Sequence, residues 1–177
     1  MINLKNNIPI FIKRKLLEHN LSLKELSLKS SIPYPTLKSL NSGNKSSPQL
    51  QTILKIAALF NCSIDEVLGR DFKHYYNKNF KYGTLEINQA INNLKSFIKY
   101  KIIENNLTLS RLSLNVGFSD KLLADFFKSE DCVKTLSTLA ICGIADYFNA
   151  SIDEMIGRVS YNPKEFDDRT NNNYPIT

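Results

Sequence analysis

Residues 11–28 read FIKRKLLEHNLSLKELSL, and residues 97–114 read FIKYKIIENNLTLSRLSL. A second matching pair is FNCSIDEVLGR at 60–70 and FNASIDEMIGR at 148–158. The first pair is offset by 86 residues and the second by 88. Because self-similarity at a fixed offset is typical of a repeated structural unit, these pairs predict one module present twice. Each module takes roughly 60 residues, near the lower limit for an independently stable domain.

The first module has the pattern of five short helices. Ser22 and Glu25 form a capping box, in which the Ser accepts the N–H of the Glu while the Glu side chain reaches back. Pro35 suits an early helical position, and Gly43 can supply a left-handed stop. No stretch alternates with period two for long, so the module is predicted to be all-α. The expected helices are 9–19 with Pro9 in the first turn, 22–30, 34–41, 49–60 and 63–69.

The second module repeats this order. Two further capping boxes, 63–66 and 151–154, each open a short last helix that ends at Gly69 or Gly157. The other helices of the second module are expected at 84–106, from Thr108, from a cap at Ser119, and at 137–148. The predicted division is therefore a first domain at 1–70, a linker at 71–83, a second domain at 84–158 and a tail at 159–177.

Net charge differs between the two modules. The chain of 177 residues carries +6 in total. Residues 1–82 hold 13 Lys or Arg and 5 Asp or Glu, a balance of +8, whereas residues 83–177 hold 10 and 12, a balance of −2. A basic half favours a polyanionic partner, most plausibly nucleic acid. The alternative is that these lysines are solvated and serve solubility.

Several classes of protein are disfavoured by the sequence. No apolar run approaches the ~20 residues of a membrane helix, and the N-terminus lacks the apolar core of a signal peptide, so a cytoplasmic protein is expected. Neither module offers a nucleophile–base motif or a phosphate loop, so no enzyme and no cofactor is expected. No metal site is expected, since His19 and His74 form no ligand pairs with the cysteines. The three cysteines, interpreted as small buried hydrophobic residues with Cys62 and Cys142 in apolar stretches, are Cys62, Cys132 and Cys142.

The five-helix order resembles the phage-repressor type of helix-turn-helix domain, the Cro/CI or XRE family. The residues that carry the resemblance are 21–27 (LSLKELS), Ile32, Leu37, Leu40, Gly43, Pro48, Ile56-Ala57 and 63–69 (SIDEVLG). The resemblance implies an all-α fold with two tandem five-helix lambda-repressor-like domains. The sequence departs from the family pattern at two positions. Ser31 occupies a turn position where the family often has Gly. Leu23, with Leu109 in the second module, occupies the position of a Gln that holds a phosphate.

In this family the third helix enters the major groove with its N-terminal residues at base edges. The resemblance therefore implies base contacts from Pro33, Tyr34, Pro35, Thr36, Lys38 and Ser39. The loop after this helix is expected to hold phosphate through backbone amides and side chains, at Ser42, Asn44 and Lys45. Further phosphate contacts are expected from Lys13, Arg14, Lys15 and Lys24.

The corresponding surface of the second module is acidic. Asp120 and Asp125 stand where the first module has Tyr34 and Ser39, and the following loop carries two further acids, Glu130 and Asp131. The nearby bases are Lys121 and Lys128. Because carboxylates repel phosphate, this module is predicted to serve a structural, dimerisation or partner-binding role. The rival interpretation is a single-chain pseudo-dimer in which both modules read unequal half-sites.

The leading functional hypothesis is a sequence-specific regulator of transcription that binds double-stranded DNA and represses by occupying an operator. One reading helix per chain supplies little specificity, so a homodimer on a palindromic site is expected. The alternative is an interaction protein, such as an antitoxin or a mobile-element inhibitor. In that case the acidic module binds a protein partner while the first module regulates its own operon.

Overall fold

The computed structural model describes residues 3–45, 47–72, 82–128 and 135–159. Within these ranges the chain is helical and contains no strand. Its helices are α1 Leu4–Glu18, α2 Leu23–Ser30, α3 Tyr34–Asn41, α4 Leu50–Leu59, α5 Ile64–Leu68, α6 Ile87–Glu104, α7 Leu109–Asn115, α8 Leu122–Lys128, α9 Thr138–Tyr147 and α10 Ile152–Met155. The predicted all-α class is confirmed for these residues.

Local hydrogen bonds fix most helix ends where the sequence predicted them. Ser22 accepts the N–H of Glu25 while the Glu25 carboxylate accepts the N–H of Ser22, which completes the capping box of α2. This acceptance from Ser22 lowers the pKa of Glu25. Thr108 and Ser137 cap α7 and α9 in the same way with their hydroxyl groups. Gly69 ends α5 with φ 66°, a left-handed conformation that glycine adopts without steric cost.

Two expectations about where helices begin are wrong. α1 begins at Leu4, so Pro9 lies inside the helix rather than in its first turn. α8 begins at Leu122, and the Ser119 carbonyl accepts the N–H of Leu122 instead of the side chain capping a helix at 120. Its counterpart α3 starts earlier because Pro33 and Pro35 preset φ for a first turn.

The last helix of each half receives a cap that is not the expected box. Ser63 accepts the N–H of Glu66, but the Glu66 carboxylate pairs with Arg14 on α1 instead of reaching back. Ser151 accepts the N–H of Asp153 rather than that of Glu154. Both serine caps therefore form. The Glu66 carboxylate, which was expected to complete the capping box, instead makes a tertiary contact.

Helices α1 to α5 enclose one apolar core. Its fully buried side chains come from every helix and include Ile8, Ile12, Leu26, Leu37, Leu40, Ile53, Ile56, Ile64 and Leu68. α1 crosses this core and also holds the end of α5, since the Asn7 side-chain amide donates to the Leu68 carbonyl at 3.1 Å. In α6 to α10 the Asn93 amide donates to the Ile156 carbonyl at 2.8 Å in the same manner. α1 and α6 thus each position the last helix of their own half.

The two halves meet through reciprocal capping of their last helices. Oδ2 of Asp65 accepts the N–H of Ile152 at 3.1 Å and the Ser151 hydroxyl at 2.9 Å. In the opposite direction, Oδ2 of Asp153 accepts the N–H of Ile64 at 2.8 Å. Each carboxylate lies at the N-terminus of the helix in the other half, where unpaired N–H groups and the helix dipole favour negative charge. Both aspartates are fully buried.

Each buried aspartate is neutralised by an arginine that follows its own helix. Arg70 pairs with Asp65, and Arg158 pairs with Asp153. Arg70 also pairs at 2.7 Å with Asp146, where the position 88 residues earlier is Ala58. The Nη2 atom of Arg158 correspondingly has no hydrogen-bond partner in the structure. The two ion pairs are equivalent, but only Arg70 has a second carboxylate.

The same junction includes backbone carbonyl groups. Arg70 donates to the Ala150 carbonyl at 3.3 Å, and Arg158 donates to the Cys62 carbonyl at 3.3 Å. The Thr138 hydroxyl at the start of α9 donates to the Pro48 carbonyl just before α4. The contact therefore extends from the last helices to the starts of the fourth helices in each half.

The sequence also led to expectations about the cysteines, a metal site and membrane-spanning helices. Cys62 and Cys142 are buried, and burial raises the pKa of each thiol to about 12, as expected for small hydrophobic residues. Cys132 and His74 lie outside the described residues. In the part of the chain that the structure covers, no cluster of three potential metal ligands occurs. No helix among the described residues has the length and apolarity needed to cross a membrane.

Removing one junction carboxylate should destabilise the fold, and the loss should be smaller where the arginine keeps another carboxylate partner. Asp153→Ala leaves the Arg158 guanidinium buried without a counter-ion, which should lower the free energy of unfolding by about 3–5 kcal/mol. Asp65→Ala should cost less, because Arg70 keeps Asp146. Urea denaturation measures both, with the exposed Asp146→Ala as a control expected to cost less than ~1 kcal/mol. Equal losses for all three variants would contradict this account.

The stability contribution of Asp153 should depend on pH. Burial raises the pKa of Asp153 from 3.8 to about 6, against the opposing effect of the Arg158 guanidinium. Between these two values the folded chain binds a proton that the unfolded chain has lost, so stability falls as pH rises through this window. Denaturation of the wild type and Asp153→Asn at pH 4 to 7.5 should show the wild type losing stability relative to the variant. A pH-independent difference would be inconsistent with this shift.

Candidate nucleic-acid interface

The turn between α2 and α3 is held by side-chain hydrogen bonds. Ser31 adopts the left-handed conformation with φ 51°, so a serine fills the position where the family often has glycine. The Ser27 hydroxyl donates to the Ile32 carbonyl at 2.7 Å, and Lys55 on α4 donates to the Ser31 carbonyl at 3.0 Å. Because both carbonyl groups of the turn are bonded, the angle between α2 and α3 is fixed from two sides.

α3 presents one polar face outward over a buried apolar face. Leu37 and Leu40 are buried against the core. The residues that the sequence predicted for base contacts lie on the outer side, with Pro33, Tyr34, Pro35 and Lys38 exposed and Thr36 and Ser39 partly buried. Tyr34 is 39% exposed, so its ring is accessible at the start of α3. The structure therefore brings all six predicted residues to one surface.

The loop after α3 folds back onto the helix. The backbone N–H groups of Asn44 and Lys45 both donate to the Ser39 carbonyl, at 3.0 and 3.3 Å, and the Ser42 hydroxyl donates to it at 3.1 Å. These amides are therefore bonded within the loop, and phosphate contacts from Ser42, Asn44 and Lys45 stay a prediction. The side chains of Asn44 and Lys45 remain at the surface.

Gly43 allows this loop to lie against α1. It has φ 73°, and a Cβ atom built on it would come within 2.8 Å of the Lys5 carbonyl. This is the carbonyl that Pro9, four residues later, cannot bond because it has no N–H. The internal proline and the glycine therefore place the loop beside the exposed Lys5 side chain.

The stretch of chain that contains α3 has basic but no acidic side chains. Residues 26–64 contain Lys29, Lys38, Lys45 and Lys55 and no Asp or Glu. Lys13 and Lys24, predicted as phosphate contacts, are also exposed. Arg14 and Lys15, predicted for the same role, instead pair with Glu18 and Glu66, which offsets their charge. The surface of α3 is thus the basic part of the first five helices.

The two leucines in place of the expected phosphate-holding Gln have a packing role. Leu23 and Leu109 are partly buried against the apolar core. Each is the first residue of its helix, directly after the capping Ser22 or Thr108. The position therefore anchors the start of the helix to the core and offers no polar group to a phosphate.

The corresponding surface of the last five helices carries mixed charge. Asp120 and Lys121 are exposed in the turn before α8, and Asp125 and Lys128 are exposed on α8 itself. Ala124 occupies the position that matches Lys38. The predicted acidic loop residues Glu130 and Asp131 lie outside the described residues. The structure thus brings the four described residues to one surface, as it does those of α3.

A cavity of about 590 Å³ lies on the outer side of α9, beside the turn between α7 and α8. Its lining residues are Asn115, Val116, Gly117, Phe118, Leu139, Cys142, Gly143, Asp146 and Tyr147. The positions 88 residues earlier lie on α4 and are Gln51, Leu54, Lys55 and Ala58. On α4, residues 83–87 cover this surface, and the cavity that remains there has a volume of about 180 Å³. α9 has smaller side chains at 142 and 143 than α4 has at the matching Leu54 and Lys55. Sequence analysis missed this cavity.

Comparison with known proteins identifies the family of the first five helices. A family model described as Helix-turn-helix matches residues 12–67. An uncharacterized HTH-type transcriptional regulator, RP766 of Rickettsia prowazekii (strain Madrid E), is 34% identical over 70 residues, which cover 38% of this chain and 76% of that protein. Another such regulator, RC1195 of Rickettsia conorii (strain ATCC VR-613 / Malish 7), is 34% identical over 70 residues, which cover 38% of this chain and 64% of that protein.

No solved structure matches the chain significantly. The matched residues 12–67 include α2, the left-handed turn and α3, together with the helices that support them. The sequence match and the geometry of the turn therefore concern the same segment. The chain belongs to the helix-turn-helix family, with its family domain at residues 12–67.

Proposed function

We propose that this protein is a sequence-specific regulator of transcription that binds double-stranded DNA through α3. The observation that carries the proposal is the exposed polar face of α3, set in a 39-residue stretch with no acidic side chain. The family match and the regulators to which the chain is similar support the same function. A helix of this kind fits the major groove of B-DNA, which is about 12 Å wide.

The side chains of α3 fit distinct roles at the DNA. Lys38 can donate to O6 and N7 of guanine, and Ser39 can contact several bases. Tyr34 and Pro35 can pack on the methyl group of thymine. Thr36 and Pro33 complete the surface at the start of the helix. The side chains of Asn44 and Lys45 contact phosphate and so set the position of α3 on the duplex, while the Ser42 hydroxyl is bonded to the Ser39 carbonyl.

Residues 84–158 form a second helix-turn-helix domain in this proposal, joined to the first domain at 1–70. Support comes from the matching sequence pairs and from α7, the left-handed Gly117 at φ 83° and α8, which follow the order of α2, Ser31 and α3. The linker at 71–83 and the tail at 159–177 lie mostly outside the described residues.

Repression by operator occupancy is the mode that the described chain supports best. A regulator without a catalytic group acts most simply by excluding polymerase from a site. Neither half presents an assembled nucleophile–base pair among the described residues, and the described cysteines are buried with raised pKa values. The bound protein itself is then the repressing element.

Two lysine substitutions should separate base reading from phosphate binding. Lys38→Ala removes a donor to guanine, so it should relax sequence preference and cost about 1–3 kcal/mol on the selected site. Lys45→Ala removes a phosphate contact, so it should weaken all sequences alike and reduce the salt slope by about 1. Electrophoretic shift assays on selected and scrambled duplexes across a salt series measure both effects.

Ser39→Ala combined with Lys38→Ala extends the test to the whole reading face. The pair should abolish sequence preference while residual salt-dependent binding remains. Wild-type preference in this double variant would rule out α3 as the reading helix. Circular dichroism serves as the folding control, since Lys38 is exposed and Ser39 bonds the loop through its carbonyl rather than its hydroxyl.

The cavity on α9 favours a second candidate function, an interaction protein that binds a partner through its last five helices. The matching surface on α4 is covered by residues 83–87, whose Leu85 and Ile87 pack against the core. An extended segment with two aliphatic side chains is therefore the occupant that fits α9. An antitoxin or a mobile-element inhibitor would bind its target in this way while the first domain regulates its operon.

Filling the α9 cavity tests this second function. Cys142→Leu with Gly143→Lys introduces the residues that α4 carries at the matching positions, and should abolish capture of any partner while leaving DNA binding unchanged. Affinity purification of the full chain from its native host, with wild type and variant in parallel, measures the difference. Identical captured proteins from both forms would exclude the cavity as the partner site.

A further inference from the structure

We propose that one chain, without a second copy, is the complete DNA-binding unit, and that it spans two unequal half-sites. This inference rests on the proposed function, because it concerns how the DNA-reading surfaces are presented. Its basis is the junction between α5 and α10, where two pairs of contacts between the halves are equivalent in both directions.

The equivalence is residue by residue at an offset of 88. Asp65 caps Ile152, and Asp153 caps Ile64. If each residue is replaced by its equivalent in the other half, the first of these contacts becomes the second, and the second becomes the first. A surface patch that contacts its own equivalent in this way is isologous, the arrangement found in two-fold symmetric dimers.

The arginine contacts obey the same exchange. Arg70 donates to the Ala150 carbonyl and Arg158 to the Cys62 carbonyl, both at 3.3 Å and again 88 residues apart. The chain therefore contains an approximate two-fold axis between α5 and α10. Because the surface of α5 is already bonded to α10 of the same chain, it is not available to a second copy.

The junction also indicates where the two reading helices lie. The Pro48 carbonyl, which follows the loop after α3, accepts the Thr138 hydroxyl at the start of α9, which follows the loop after α8. The phosphate-contacting Asn44 and Lys45 are only three or four residues before Pro48. The described residues just before α4 and at the start of α9 therefore meet beside the axis, and in this proposal α3 and α8 flank it. Two reading helices related by a two-fold axis match the symmetry of a duplex with two half-sites.

The two half-sites must differ because the reading faces differ. α3 presents Lys38, a donor suited to guanine, whereas the α8 surface presents Asp120 and Asp125, which only accept. Carboxylates accept from the amino group of cytosine in the major groove. We therefore assign to the α8 half-site a duplex segment that presents cytosine amino groups, with Lys121 and Lys128 toward phosphate.

Covalent connection explains how a weakly attracted α8 still reaches its half-site. Once α3 is bound, the second contact is intramolecular, so its effective concentration is high and a modest affinity suffices. A separate chain with the α8 surface would face repulsion between its aspartates and the phosphates without this advantage.

Unbiased selection of duplex DNA with the full-length chain tests the inference, followed by native mass spectrometry of the complex. The expected result is one chain per duplex and a non-palindromic motif of two parts, centred about one helical turn apart. Two chains on a palindromic motif would overturn the inference and establish the homodimer that the sequence favoured. The proposed function would survive that result, whereas failure to select any duplex would refute the proposed function itself.

Substitutions at α8 decide whether it reads bases. Asp120→Asn and Asp125→Asn should change the preferred bases in one part of the motif only, by roughly 5- to 150-fold at each affected position. Lys38→Ala is the matched control and should affect only the other part. Both aspartates are exposed, so the variants should fold normally, as circular dichroism will verify. One chain per duplex with a motif unchanged by either Asp substitution would overturn the inference.

Discussion

The structure depends on two buried carboxylates that each serve both halves of the chain at once. Asp65 and Asp153 pair with the arginine that follows their own helix and accept the N–H groups at the start of the other half's last helix. Burying a carboxylate is costly unless hydrogen bonds and a counter-ion compensate. The arginine pairs form within each half, but the hydrogen bonds from the N–H groups of the other half form only when α5 and α10 are in contact, so the halves gain from staying together.

This constraint links packing to the presentation of α3. α5 is held by α1 through Asn7, and α1 also supports the loop that follows α3 where Gly43 meets Lys5. The junction, the first helix and the reading surface therefore form one connected set of contacts. In the second half Asn93 takes the place of Asn7 in holding the last helix, while the outer surface at α8 has different chemistry. The chain thus combines equivalent supports with unequal surfaces.

Sequence reasoning succeeded where a local hydrogen bond or a buried stripe defines the element. Ser22 and Glu25 predicted the start of α2, and Gly69 predicted the end of α5, because both signals act within a few residues. It failed where distant groups compete for a side chain. Glu66, expected to complete the capping box of α5, instead pairs with Arg14, which lies 52 residues away in the chain. A pattern of residue types contains no information on which of two partners wins such a competition.

The sequence by itself determined the helical class, the internal repeat, the helix-turn-helix segment and the residues of its outer face. The helical class follows from periodicity, capping residues and turn residues, which act through neighbours along the chain. The helix-turn-helix segment and its outer face were implied by the resemblance to the Cro/CI or XRE family. Only the tertiary structure decided the role of Asp65 and Asp153, which in sequence are ordinary acids in the first turn of a short helix. Their partners lie more than 80 residues away. Hydrogen bonds over that separation depend on how complete halves pack, and packing brings the two equivalent helices together as a reciprocal pair.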